Sequence, residues 1–152
     1  MFTILTMIRA YKKSDRPEVI DLLRRNIPKY FDPSEERDLE KYLDDQMEDY
    51  FVYVEGFEIL GAGGINYFPE EKVARISWDI VEPNAQGKGI GRKLTQYRIN
   101  QLGENQNIET IIVRTSQHTF KFYEKMGFQL EKVEKDFWAK GFHLYQMTMR
   151  NH

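Results

Sequence analysis

Apolar positions change period twice along the chain, and each change marks a new kind of element. A short apolar run at residues 4–10 predicts a first strand, although Met7, Ile8 and Arg9 would also make a natural start and leave 1–6 as an extension. Asp15, Pro17 and Glu18 form a helix start signal, and Val19, Ile20, Leu23 and Ile27 give its apolar stripe, closed by Pro28. A second helix is expected over 35–47, with Leu39, Tyr42, Leu43 and Met47 inward and an acidic, solvated outer face. From Tyr50 the period becomes two. Residues 50–54, 59–67 and 73–81 read as three consecutive antiparallel strands, joined around Gly56 and through Pro69, Glu70, Glu71 and Lys72. Glycines at 61, 63 and 64 would weaken an ordinary strand, so they point to a bulge or a close approach of backbone.

After Pro83 a loop over 84–89 leads into a helix over 90–102, ended by Gly103 and Asn105. Residues 108–115 are almost continuously apolar, as in a strand covered on both faces. A short helix over 118–126 ends at Gly127, and 128–133 and 142–149 supply the last two strands. The predicted fold class is α/β with a mixed sheet, in the order β-α-α-β-β-β-α-β-α-β-β.

Composition narrows the chemistry. The 152 residues, 41% hydrophobic, suit a single domain over 1–152. With no cysteine there can be no disulfide, no thiolate metal site and no thioester on the enzyme; with three histidines (His118, His143, His152) no metal centre is expected. No apolar stretch approaches the ~20 residues of a membrane span, and the first eleven residues do not read as a secretory signal. The expectation is a cytoplasmic protein without a membrane partner. The net charge of -2 hides an asymmetry: residues 1–85 carry net -7 and residues 86–152 net +5. This segregation suits a site with an anion on one side and a cation on the other, and equally suits chance on solvated surfaces.

The strongest local signal is Gln86, Gly87, Lys88, Gly89, Ile90 and Gly91, a run of alternating glycines between a strand and a helix. Free N–H groups and the positive end of the helix dipole favour an anion there, and absent Cβ atoms let the backbone close around phosphate oxygens. Lys88, Arg92 and Lys93 add positive charge at the rim. Neither the dinucleotide fingerprint nor a P-loop fits the spacing. The bland alternative is a tight turn.

The spacing Gln86-x-x-Gly89-x-Gly91, after the strand that ends at Val81 and Pro83, resembles the acetyl-CoA signature of the GNAT superfamily of N-acetyltransferases. Phe122, Tyr123, Glu124, Lys125, Met126, Gly127 and Phe128 resemble the family's helix and turn after the fifth strand. The resemblance covers nearly all of residues 7–150. It implies a fold whose fourth and fifth strands splay apart, with the pantetheine arm of acetyl-CoA bonding the backbone of Ile80 and Val81 and the pyrophosphate held by residues 86–92. It also implies that the Val81 N–H faces the thioester oxygen and that Tyr123 lies near the sulfur. Ser116 stands where the family often carries asparagine; it can cap the helix or bond the pantetheine.

Without cysteine, the simplest implied route is direct attack of an amine on the thioester in a ternary complex, with Tyr123 protonating the leaving thiolate. Asp79 is the candidate base: if alternation holds, Arg75, Ser77 and Asp79 share one face of the fourth strand, and half-burial would raise the carboxylate's pKa. Asp79 could instead be an ordinary ion pair, with a water relay as base, and Glu82 is its nearest rival. The acceptor is a small-molecule amine or a peptide or protein amino group, and the acidic segment over 35–49 would favour a cationic one. A CoA-binding sensor without turnover is the alternative function; nucleic-acid binding lacks a dense basic stripe interleaved with exposed aromatics. Phe137, Trp138, Phe142, Tyr145 and Met147 could form a homodimer interface or simply complete the core.

Overall fold

A computed structural model describes residues 5–85 and 87–152. Seven strands form one sheet in the order β1-β2-β3-β4-β5-β7-β6: β1 (Thr6–Ala10), β2 (Asp49–Glu55), β3 (Glu58–Phe68), β4 (Val73–Val81), β5 (Thr110–Thr115), β6 (Gln129–Ala139) and β7 (Phe142–Arg150). Among the described residues four α-helices accompany it: α1 (Arg16–Arg24), α2 (Glu35–Lys41), α3 (Ile90–Gly103) and α4 (Phe120–Lys125). No helix among them is long and apolar enough to cross a membrane. The β4–β5 pair is parallel and every other pair is antiparallel.

The sheet separates two cores. Leu22, Leu23, Leu39 and Leu43 of the α1–α2 layer pack with Val52, Ala62 and Ile80 on one face. On the other, Ile90, Leu94 and Leu102 of α3 and Tyr123 of α4 pack with Ile65, Ala74, Ile76, Ile111 and Val113. These residues supply the apolar burial that drives folding.

Several expected details differ. The sheet already includes Thr6, paired with Glu55, and the Leu5 carbonyl, which accepts from Gly56 N–H at 2.8 Å; residues 1–4 lie outside the described ones. Asp15 and Glu18 do not form a reciprocal cap. Asp15 turns back to accept from Lys12 N–H at 2.8 Å and from Arg9, while Glu18 reaches Ile59 N–H at 2.7 Å. Helix α1 stops at Arg24 because Asn26 Nδ2 takes the Leu22 carbonyl at 2.9 Å, ending the helical ladder before Ile27. The second helix keeps its predicted extent by passing into a π-turn at Tyr42–Gln46. In β5, Ile111 and Val113 are buried, but Ile112 and Arg114 on the opposite face are only half-buried.

Strand β6 continues six residues past the predicted end at Val133. Its charged residues mask the period of an edge strand, where charge also discourages pairing with other chains. Of the aromatic-rich C-terminal residues, Met147 is fully buried in the core, whereas Phe137 is exposed.

Ala62 faces Ile80 and Gly64 faces Ser77, so Gly63 alone opposes Trp78 and Asp79: a bulge in β4. Trp78 adopts φ +52°, rare for a bulky residue. Its carbonyl is held by the Tyr50 hydroxyl at 2.8 Å. The bulge breaks alternation. Ser77 and Trp78 both face the α1–α2 layer, and Asp79 is carried to the α3 face. The expectation that Asp79 shares a face with Arg75 and Ser77 is therefore corrected.

A Cβ on Gly63 would sit 2.6 Å from Asp79 Oδ1 and 2.7 Å from Arg98 Nη1. Gly63→Ala should lower stability by about 2 kcal/mol, as overpacking of a close-packed site does. The denaturant midpoint measures this, and an unchanged midpoint would show that the glycine is not needed for the close approach.

Candidate active site

The parallel ladder between β4 and β5 ends at Ile76↔Val113, yet β4 runs on to Val81 and β5 to Thr115. Each strand keeps its outer partner beyond that point, β4 with β3 and β5 with β7. The two therefore diverge as a V. A cavity of about 860 Å³ occupies the opening, lined by Ile90, Gly91, Arg98 and Tyr123 from one face of the sheet and by Phe31, Glu35, Tyr42 and Trp78 from the other. It connects the two sides of the molecule.

Backbone direction within the V follows from the ladder. Glu82 N–H bonds Leu60 O at 2.8 Å, and amides alternate between the two edges of a strand, so Ile80 turns its polar groups to Ala62 and Val81 turns its own into the opening. Of the two residues expected to meet a pantetheine, only Val81 presents main chain to the cavity. Its carbonyl accepts from Asn26 Nδ2 at 3.1 Å, a buried side chain that also lines the cavity.

At the head of the V, Gly87 and Gly89 have φ of +92° and +73°, and apart from their chain neighbours no described atom lies within 4 Å of where a Cβ would stand on either. The positive φ makes glycine the fitting residue at both positions, and the empty space leaves room for a ligand. Gly89 caps α3, and Lys93 N–H bonds its carbonyl at 3.0 Å, so the N–H groups of Ile90, Gly91 and Arg92 begin the helix without intrahelical acceptors. Gly91 packs on Phe122 and Val81. Arg92 lines the main cavity, but Lys88 turns to Glu55 at 3.4 Å and lines a smaller cavity behind the loop. Gln86 lies outside the described residues. Lys93 stands 5.9 Å from the Tyr53 ring.

Asp79, Tyr123 and Arg98 form one hydrogen-bonded group. The Tyr123 hydroxyl donates to Asp79 Oδ2, and Arg98 Nη1 donates to Asp79 Oδ1 at 2.5 Å and to Gly64 O at 3.0 Å. Arg98 is fully buried, with Nε on Leu94 O at 3.0 Å, whereas the Asp79 side chain is 18% exposed. The expected half-burial of Asp79 holds, with a counter-ion the sequence reading did not name. Arg98 was legible in principle, since Ile90, Leu94, Arg98 and Leu102 recur every four residues on the buried stripe of α3.

Burial, with the Asp79 charge next in weight, holds the Tyr123 hydroxyl well above the ordinary phenol pKa. The phenol is fixed from behind: Phe128 N–H bonds Tyr123 O at 3.0 Å and Gly127 N–H bonds Glu124 O at 3.1 Å, a Schellman closure of α4. Ser116 lines the cavity and closes the turn before α4, its Oγ accepting from His118 N–H at 3.2 Å, while the helix itself begins after Thr119 with no side-chain cap. Glu82, the rival carboxylate, pairs with Arg25 at 2.5 Å and faces the smaller cavity.

An open, paired-from-outside V beside a glycine-rich helix head is the arrangement of an acyl-CoA-dependent transferase. The chain belongs to the acetyltransferase (GNAT) domain family, whose model matches residues 19–151. The family's acyl donor is acetyl-CoA. Similar solved folds include a Desulfovibrio desulfuricans protein assigned to the GNAT acetyltransferases, at 20% identity and TM-score 0.81 over 97% of this chain and 100% of that one. The ribosomal-protein-S18-alanine N-acetyltransferase of Escherichia coli aligns at 15% identity and TM-score 0.80, over 97% and 94%. Spermidine N-acetyltransferase of Vibrio cholerae, solved with CoA and spermine, aligns at 20% identity and TM-score 0.72, over 96% and 95%. No curated protein sequence matches the chain.

Glu35, on the opposite wall of the cavity, is more deeply buried than Asp79. It accepts from Asp32 N–H at 2.8 Å, and burial pushes its pKa up to about 7. A carboxyl raised above its unfolded value stabilises the fold fully below the unfolded pKa of 4.5, and this contribution is lost as pH rises through about 7. Wild type should therefore lose stability relative to Glu35→Gln between pH 5 and pH 8 in paired urea titrations. A pH-independent difference would contradict this.

Proposed function

We propose that the protein acetylates a primary amine by direct attack on acetyl-CoA in a ternary complex. The observation that carries this reading is the cavity through the β4–β5 opening, lined from both faces and bordered by the Asp79–Tyr123 pair. Donor and acceptor can enter from opposite sides of the sheet and meet there. The absence of cysteine argues against an acyl-cysteine intermediate.

In this reading the backbone amides of Gly87, Gly89, Ile90, Gly91 and Arg92 hold the pyrophosphate, with the Arg92 side chain at the rim, while the Lys88 amide stays on the Ala85 carbonyl at 3.3 Å and shapes the loop. The residues fit that group through the two positive-φ glycines over open space and the unbonded amides of a 14-residue helix. Gln86 completes the loop by its place in the motif. Ser116 bonds the pantetheine arm from the β5 side, opposite the free edge of β4 at Val81, and the Val81 N–H stabilises the oxygen on which negative charge grows.

The proton balance closes within one pair of side chains. Asp79 takes a proton from the attacking amine, directly or through one water; Tyr123 gives its proton to the departing CoA sulfur and recovers one from Asp79 across their hydrogen bond. The N–C bond forms as the C–S bond breaks. Amine and acetyl-CoA become amide and CoA thiol, and both side chains return to their starting states. The family relies on acetyl-CoA, so we assign the chain's working place to the cytoplasm, with a small molecule or a peptide or protein amino group as acceptor.

Tyr123→Phe keeps the ring packing and removes the shared proton. It should fold normally, bind acetyl-CoA with unchanged affinity by calorimetry, and turn over roughly a hundredfold more slowly in a thiol-release assay. Turnover within about twofold of wild type would remove Tyr123 from the chemistry. Asp79→Asn also removes the Arg98 counter-ion, so it is compared where its circular dichroism matches wild type; there it should turn over roughly tenfold or more slowly, and turnover within about twofold of wild type would favour a base other than Asp79.

A further inference from the structure

On the α1–α2 face, β4 and β5 each contribute one arginine to the cavity wall. Arg75 is paired in register with Ile112, two residues before Arg114, so the two side chains are diagonal neighbours on one face of the parallel pair. Neither has a carboxylate partner among the described residues, although both line the cavity. The Arg75 guanidinium lies 4.7 Å from the Phe68 ring, and that of Arg114 lies 4.8 Å from Phe137 and 5.7 Å from Trp138. Arg114 Nε is buried and has no hydrogen-bond partner.

A planar donor group held on aromatic faces, with an N–H left unpaired away from water, is costly unless something else completes it. The nearby carboxylates are engaged elsewhere: Glu48 accepts from Asn66 Nδ2 and Tyr67 N–H, and Glu35 from Asp32 N–H. Burial, with the Arg114 charge next in weight, pulls the Arg75 guanidinium below its ordinary pKa. Two like charges are thus held together on a cavity wall, which a bound anion would relieve.

The geometry points to an anion subsite formed by Arg75 and Arg114 on the acceptor side, so that the acceptor is an amine that also carries a carboxylate or phosphate group. This rests on the acetyltransferase reading and deepens it. It also reverses the preference for a cationic acceptor suggested by the acidic segment, because the cations come from the sheet and the acids from the helix layer. Arg75 precedes Asp79 by four strand residues, roughly 13 Å along the backbone. An arginine side chain shortens that gap, leaving the anionic group several bonds from the reacting amine.

Two measurements test the subsite. In the first, protein saturated with CoA, so that the pyrophosphate site is filled, is heated with increasing sodium phosphate at constant ionic strength. Wild type should show a dose-dependent rise in Tm that Arg75→Gln/Arg114→Gln lacks, each protein being compared with its own phosphate-free Tm. The single variants serve if the double variant does not fold. Equal rises in wild type and variants, or none in wild type, would overturn the subsite whether or not any amine is acetylated.

The second measures thiol release with 6-aminohexanoate against hexylamine, 4-aminobutyrate against propylamine, and phosphoethanolamine against ethylamine. At least one anionic member should exceed its bare partner by about tenfold or more in kcat/KM, and the arginine variants should erase that preference through the acceptor KM, with the acetyl-CoA KM unchanged. The pairs separate carboxylate from phosphate. Preference for bare amines throughout would overturn the inference while leaving the acetyltransferase reading intact. Failure to turn over any amine would count against that reading, with the heating experiment still deciding the subsite.

Discussion

The Asp79–Arg98 ion pair sits where β4 changes the side to which its residues point, and the surrounding structure is arranged to permit that change. Gly63 leaves the volume the pair occupies, Gly64 supplies a carbonyl to the guanidinium, and the Tyr50 hydroxyl holds the Trp78 carbonyl on the other face. A buried guanidinium without a carboxylate would be strongly unfavourable, and an Asp79 left on the α1–α2 face could not supply one. The bulge therefore does two things at once. It gives Arg98 its counter-ion and brings a carboxylate to the hydroxyl of Tyr123.

The opening between β4 and β5 has a complementary origin. Both strands are secured on their outer edges, so their inner edges can separate after Ile76 and Val113 without unravelling the sheet. Main-chain groups that would ordinarily be tied up in a ladder become available to a ligand. The glycine-rich head of α3 opens onto the same space, which joins an anion-binding helix terminus to a free strand edge. In the mechanism we propose, acyl transfer from a phosphate-bearing thioester uses both.

Much of this was legible in the residue pattern. The strand–helix order, the glycine loop, Tyr123 and Asp79 rest on local signals: period, start and stop residues, and motif spacing. What the pattern missed is nonlocal. Strict alternation put Asp79 beside Ser77, and only the pairing of Gly63 against two residues of β4 shows the switch. Arg98 sat in view on an apolar stripe, but its partner comes from a strand 19 positions earlier. Lys88 carries the charge expected at a phosphate rim, and Glu55, 33 positions away, draws it to the other side of the loop. The strand β6 was underestimated because an edge strand dense in charge has no buried face to mark it.

The most direct test is a two-dimensional amide NMR titration of the uniformly ¹⁵N-labelled protein with CoA. If the helix head and the free edge of β4 hold the donor, the largest shifts fall on the N–H groups of Gly87, Gly89, Gly91 and Val81, with Ile80, whose amide is committed to β3, moving less. Saturable shifts confined to other regions, or no shifts at all, would contradict this placement.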